Sequence, residues 1–438
     1  MKTSGAGMRG IATFLLVNLL IIRFLRPIVS ALTFVSFRLW IDWLLLGAVL
    51  IRGKWIRLVG LDGLVVLTLA AIVIVQNLAD HGIGSSGLEE ALSIPLVLGL
   101  PLFYAMLARN QHRPTWIRYL KRTLVLLNIY FYVNAVIIIG QVAGVIPIAP
   151  QFIAENPSLI DHMTGLVGLN GVSTLNFIWI ATIAGNVRFI RDSKWRLVAV
   201  VTQLALASWL SVLNDNKMFV VTAGLSAALM LAINLRTIRR WIPILLLGAA
   251  CVFPFLVDLF ESLGRTESGV SLDLASILLY DPNLMPNPNN ERAYINFLAY
   301  HWYNGFGNGV GLGVANAESK EIHIHLGINS ASLLLIQGGI PLLVVTTMIL
   351  FVGLRAIVGR RGVMAVLMLA VFTVMLVYVS NPIADRYTLT AVCIFMAFVS
   401  ANPPDPQPRL ATHANKSQST PAASRTSREK ASQTLHLK

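Results

Sequence analysis

Two histidines flanking one isoleucine, His323 and His325, close a polar interval that also holds Arg292 and an alternating glycine run, Gly305-Phe-Gly-Asn-Gly-Val-Gly-Leu-Gly313. Histidine titrates near neutrality, so either ring could take a proton from a hydroxyl and later return it. Arginine offers a planar fork of donors that matches phosphate oxygens. Glycines admit backbone close to a ligand, or conformations with positive φ. Each feature also has a plainer reading: a structural histidine, a solvated arginine, a turn. The run lacks the Gly-Lys-Ser/Thr of a Walker A loop and follows no strand, so it meets neither that pattern nor the dinucleotide fingerprint. Paired histidines suggest metal, but only Glu318 and Glu321 accompany them and the ligand spacing is absent. The expectation is acid–base chemistry without metal or cofactor.

The elements that must position these residues are membrane helices. Of 438 residues, 56% are hydrophobic and 12% charged, against about 25% charged in an average soluble domain. Apolar blocks recur near Leu58–Leu78, Leu88–Leu107, Thr123–Ile146, Gly165–Ala184, Leu197–Leu213, Met218–Leu235, Ile242–Leu259, Ser330–Leu354, Val363–Val379 and Tyr387–Ala401. Most are near the length a helix needs to cross a bilayer, and no alternating strand pattern is present. Ile11–Ile51 is interrupted by Arg23, Arg26, Arg38 and Asp42, and fits two short spans or one span plus a surface helix. Met1–Leu25 has a basic start and an apolar run with no small-residue cleavage site, and reads as a first anchor. The sequence thus predicts an all-α, polytopic transmembrane bundle over residues 1–401, with about 12 helices and a large extracytoplasmic loop over about residues 261–329. Residues 402–438, rich in Pro, Ser, Thr and basic residues, read as a disordered cytoplasmic tail.

The net charge of +14 raises the question of nucleic acid. Its distribution answers it. The loops Arg52–Arg57, Arg109–Arg122, Arg188–Arg196, Arg236–Arg240 and Arg355–Arg361 are basic, and those between them are acidic or mixed. Such alternation marks the basic set as cytoplasmic, which puts both termini inside and the polar interval outside. The charge is a topology signal, and no nucleic-acid partner is expected. Cys251 and Cys393 each lie in an apolar block and read as small core side chains.

On the outer side after residue 52 this topology leaves Lys217, Arg265, Arg292, Lys320 and Arg386 as the cations. Lys217 shares a minimal turn with Asp215 and Asn216, at the membrane boundary where long side chains snorkel. Arg292–Tyr303 has apolar and aromatic residues at helical spacing, as a surface-lying helix has. Tyr300, Trp302 and Tyr303 suit either interfacial anchoring or stacking on sugar faces.

Lys217 at a short turn, the Arg292-led segment, the Gly305–Gly313 run and His323–Ile340 leading into a helix together resemble the superfamily of O-antigen polymerases and O-antigen ligases. The resemblance covers roughly Ser208–Leu354. Two positions depart from the family pattern: Lys217 stands where arginine is usual, and Ile328-Asn329 stands where the family shows His-Asn. The resemblance implies an enzyme of the bacterial inner membrane acting on undecaprenyl-diphosphate-linked glycans, with no cofactor. It implies that Arg292 and Lys217, with Arg386 as a further candidate, meet the pyrophosphate, and that His325 or His323 is the acceptor base. The implied partners are lipid-linked donor and acceptor, membrane lipid, and chain-length and export proteins. A ligase that moves finished polymer, a transporter of lipid-linked glycan or solute, and a scaffold subunit are the other readings.

Overall fold

The computed structural model describes residues 45–47, 49–51, 55–81, 94, 96–110, 113–146, 163–167, 171–190, 192–214, 216, 218–234, 305–307, 309, 329–359, 361–383 and 385–401. Among these residues there are nine α-helices, one short 3-10 helix and no strand. In chain order they are α1 (Trp55–His81), α2 (Gly99–Asn110), α3 (Arg113–Val142), the 3-10 turn Gly165–Val167, α4 (Val172–Phe189), α5 (Ser193–Leu213), α6 (Met218–Asn234), α7 (Ser330–Val358), α8 (Val363–Val379) and α9 (Arg386–Ser400). The expected count of about 12 and most of the expected 261–329 loop fall on residues outside those described, as does the whole of 402–438.

Among the described residues four stretches are long and apolar enough to cross a membrane: Ile56–Asp80, Pro114–Val142, Ser193–Leu213 and Ser330–Val358. Their outward faces are apolar too. Val65, Leu69, Ile72 and Val75 of α1 are exposed, as are Val125, Ile129, Val133 and Val136 of α3. A surface of this kind is compatible with hydrocarbon as the surrounding solvent and not with water, so this is a membrane protein.

Lipid tails are as apolar as leucine, so packing rather than water exclusion must hold the helices together. The tightest pair is α4 with α9. Gly185 lies between them and α3: a Cβ there would sit 2.6 Å from Leu124 Cδ1 and 3.1 Å from Phe398 Cε2. On the other side of α4, Trp179 packs between Phe131 of α3 and Phe219 of α6, the latter edge-on at 5.4 Å between ring centroids. α7 packs against α1, α2, α8 and α9.

Inside the bundle, Asn128, Asn186 and Gln203 join α3, α4 and α5. Asn186 Nδ2 donates to Gln203 Oε1 at 2.7 Å, Gln203 Nε2 to Asn128 Oδ1 at 2.7 Å, and Asn128 and Asn186 exchange amide hydrogen bonds. Each amide thereby finds partners where water is absent, which a lone buried amide would not.

The basic loops have a structural use. The last four carbonyls of a helix lack intrahelical donors and carry its negative end. Arg109 donates to Ala356 O at the end of α7, and Arg188 and Arg361 donate to Ala401 O and Ser400 O at the end of α9. Asp62, the charge that the sequence places inside an apolar block, also belongs to this end. Gly60, at φ 77°, interrupts α1, so Asp62 opens the turn of the longer segment and pairs with Arg355 in the last turn of α7 at 3.5 Å. Both side chains are partly or largely exposed, so the pair is worth little in stability but sits favourably on both helix dipoles.

Candidate functional site

Opposite the arginine-capped end, three turns converge around the head of α4. The first is the α8–α9 turn. Asp385 caps α9: its Oδ1 accepts from Tyr387 N at 3.0 Å, and its Oδ2 accepts from Thr174 Oγ1 at 2.7 Å and Thr388 Oγ1 at 2.6 Å. The two hydroxyls also lie 2.8 Å apart. With both protons committed to the carboxylate, that third edge of the triangle carries no hydrogen bond. The cap leaves Arg386, the first residue of α9, buried at 8% exposure.

The second is the α5–α6 turn. Asn216 exchanges two amide hydrogen bonds with Asn176 of α4, at 3.2 and 2.5 Å, while its backbone N–H returns to Ser211 O at 2.7 Å. Thr174 and Asn176 are two residues apart, which on a helix sends them to nearly opposite sides at almost one level. The head of α4 is therefore a wedge, with the α8–α9 turn on one side and Asn216 of the α5–α6 turn on the other.

The third is the start of α7. Asn329 Oδ1 accepts from Ser332 N at 2.7 Å and so caps the helix. Ser330 donates from Oγ to Asn381 Oδ1 at 2.7 Å and from its backbone N to Ser380 O at 3.0 Å, which fastens the head of α7 to the α8–α9 turn. The role of Asn329 is local: it starts α7.

Of the five residues singled out from sequence, Arg386 is described. Lys217, Arg292, His323 and His325 lie outside the described residues, although Asn216 and Met218 on either side of Lys217 lie within them. The residues that organise this end, Thr174, Asn176, Asn216 and Asp385, carry little sequence signal. The nearest thing to one is an Asp immediately before a helix that opens with Arg, a recognisable cap.

The described glycines of the run, Gly305, Gly307 and Gly309, act as backbone packing. Gly305–Gly309 crosses α7 where that helix breaks at Gly338 and Gly339. A Cβ on Gly307, at φ 82°, would fall 2.4 Å from Gly338 N, and one on Gly339, at φ 65°, 2.3 Å from Gly305 O. The break has a chemical origin. Pro341 has no N–H, so Gln337 O, four residues earlier, loses its helical donor. Gly309 N at 2.9 Å and Asn77 Nδ2 of α1 at 3.2 Å supply donors instead.

Compared with models of known families the chain matches none, and no curated protein sequence matches it.

Proposed function

We propose that this protein is a glycosyltransferase of the bacterial inner membrane that polymerises undecaprenyl-diphosphate-linked oligosaccharide repeat units into an exopolysaccharide or O-antigen at the periplasmic face. The basic, arginine-capped end is then cytoplasmic with both termini, and the end built around the head of α4 is periplasmic. What supports the proposal is the wedge: Thr174 and Asn176 hold the α8–α9 turn, where Arg386 is buried, and Asn216, which precedes Lys217 in the sequence, on either side of one helix head. Two cations gathered at a membrane surface suit a pyrophosphate whose negative charge grows as it leaves.

In the reaction, a hydroxyl oxygen of the acceptor sugar attacks the anomeric carbon of the donor. The bond from that carbon to the pyrophosphate oxygen breaks, and the lipid pyrophosphate departs with the electron pair. His325, or His323, takes the hydroxyl proton. Arg292, Lys217 and Arg386 neutralise the leaving group. The donor carries its own leaving group, so no nucleotide enters the step. Against a transporter, the described Asp, Glu, Lys and Arg side chains lie toward helix ends, and the polar triad inside the bundle consists of mutually satisfied amides.

The test is a deletion strain complemented with wild type, Arg386→Ala, Arg292→Ala or His325→Ala, with membrane levels matched and glycan length read on gels. Lipid-linked single repeats that accumulate in the variants support polymerisation. Long polymer retained on the lipid carrier makes the protein a ligase, whose donor chemistry is the same. Normal polymer from all three variants removes these residues from the mechanism.

A further inference from the structure

The break in α7 is met from two sides, by the backbone of the glycine strap and by one side chain of α1. Asn77 is buried at 6% exposure, four residues before the end of α1 and so about 6 Å along its axis from that end. Its Nδ2 donates to Gln337 O at 3.2 Å and to Phe306 O at 3.3 Å. One amide group thus bridges the carbonyl freed by Pro341 and the backbone of the strap that covers it. Gly309 N closes the same node through Gln337 O. Irregular backbone at membrane depth persists only where protein satisfies it, and here the satisfying group comes from a third element. Phe306 is 62% exposed beside this node.

We propose that Asn77 is a positioning residue, a latch that holds the Gly305–Gly309 strap in the break of α7 and so fixes where the outer segment is tethered to the membrane helices. The consequence for function rests on the glycosyltransferase reading. Arg292 precedes the strap by 13 residues and His323 follows Gly309 by 14, so the tether divides the segment that carries the candidate pyrophosphate ligand from the one that carries the candidate base. With the strap seated, both flanks start from a point fixed against α1 and α7. With it released, each searches a larger volume, which weakens alignment in the transition state as well as substrate affinity. Glycine at 307 and 339 is required because the strap and the break approach backbone to backbone.

Asn77→Leu and Asn77→Asp each remove both donated bonds, one with an apolar side chain and the other with a near-isosteric group that only accepts. Asn77→His keeps a ring N–H near the position of Nδ2. The measurement is amide hydrogen exchange on the full-length protein in lipid nanodiscs, together with kcat and KM for transfer from a synthetic lipid-pyrophosphate repeat unit. In Asn77→Leu, or in Asn77→Asp if the first fails to fold, exchange at Gly309 is expected to rise roughly tenfold while the mid-helix amides of α1 and α7 keep their protection. Transfer is expected to lose kcat as well as KM, and Asn77→His to recover much of both. Unchanged exchange at Gly309 in a folded variant overturns the latch. Raised exchange with wild-type kinetics overturns its positioning role. A wild-type protein that transfers no glycan sinks the enzyme reading alone, and the latch is then decided by the exchange data.

Discussion

Asp385 offers the sharpest energetic test of the α4 wedge. In Asp385→Ala, α9 loses its cap, worth about 1 kcal/mol. The hydroxyls of Thr174 and Thr388, both essentially buried, lose their acceptor. They lie 2.8 Å apart, so one can donate to the other and only one proton is left without a partner. An unsatisfied buried donor costs about 1–3 kcal/mol, which brings the expected loss to roughly 2–4 kcal/mol. Asp385→Asn should behave differently. The amide oxygen caps α9 as well as a carboxylate does. Its NH2 donates to one threonine, whose hydroxyl then donates to the other, but the second hydroxyl proton has no acceptor, since an NH2 cannot accept. The expected cost is about 1–3 kcal/mol, less than that of Asp385→Ala by the retained cap. Reversible unfolding in mixed micelles, followed by tryptophan fluorescence, compares the three proteins. If Asp385→Asn falls as far as Asp385→Ala, the α9 cap contributes nothing and the whole loss lies with the threonine hydroxyls. If Asp385→Ala lies within about 0.5 kcal/mol of wild type, Asp385 does not organise this end and the argument for gathered cations loses its frame.

Two further outcomes follow from the glycine strap and the amide triad. Gly307→Ala puts a methyl against backbone atoms of Gln337 and Gly338, which have no side chain to rotate away, at a φ unfavourable to alanine. The expected loss is about 2 kcal/mol or more, while Gly305→Ala, with open space around its Cβ, should stay within about 0.5 kcal/mol; equal effects would mean that the strap is not packed as described. Asn186→Leu removes the middle amide of the triad but leaves Gln203 and Asn128 bonded to each other. Its expected cost in the same unfolding assay is about 1 kcal/mol, and a more stable variant would show that the triad is no help to packing.

Helix positions were legible where the chain changes abruptly from charge to hydrocarbon. α8 runs Val363–Val379 as expected, α6 starts at Met218 as expected, and α9 differs from its expected limits by a residue. Where a helix continues into polar sequence, composition misleads: α3 starts at Arg113, ten residues before its apolar block, because a basic turn at the bundle end remains helical. Aromatic residues near the basic helix ends do not behave alike. Trp195 is exposed beside Lys194 and Arg196 as an anchor should be, but Trp116 is buried in the core. The site's frame was not legible, since Thr174 and Asp385 are 211 residues apart, and Asn77 is 260 from Gln337. A polar residue in an apolar block announces only that it needs a partner.

Pro341 shows how much further such a need can be traced. A proline inside a membrane helix guarantees one orphaned carbonyl four residues earlier, and lipid cannot supply its donor. That donor must come from the protein, so a Gly-Gly break, an alternating glycine segment and a lone Asn near another helix end are candidates to meet. In this chain they do: Gly309 and Asn77 both reach Gln337 O. The glycine run, which as a phosphate motif carried little weight, thus has a stricter requirement as backbone packing. That requirement ties the strap between the two segments of proposed chemistry to membrane helices rather than to solvent.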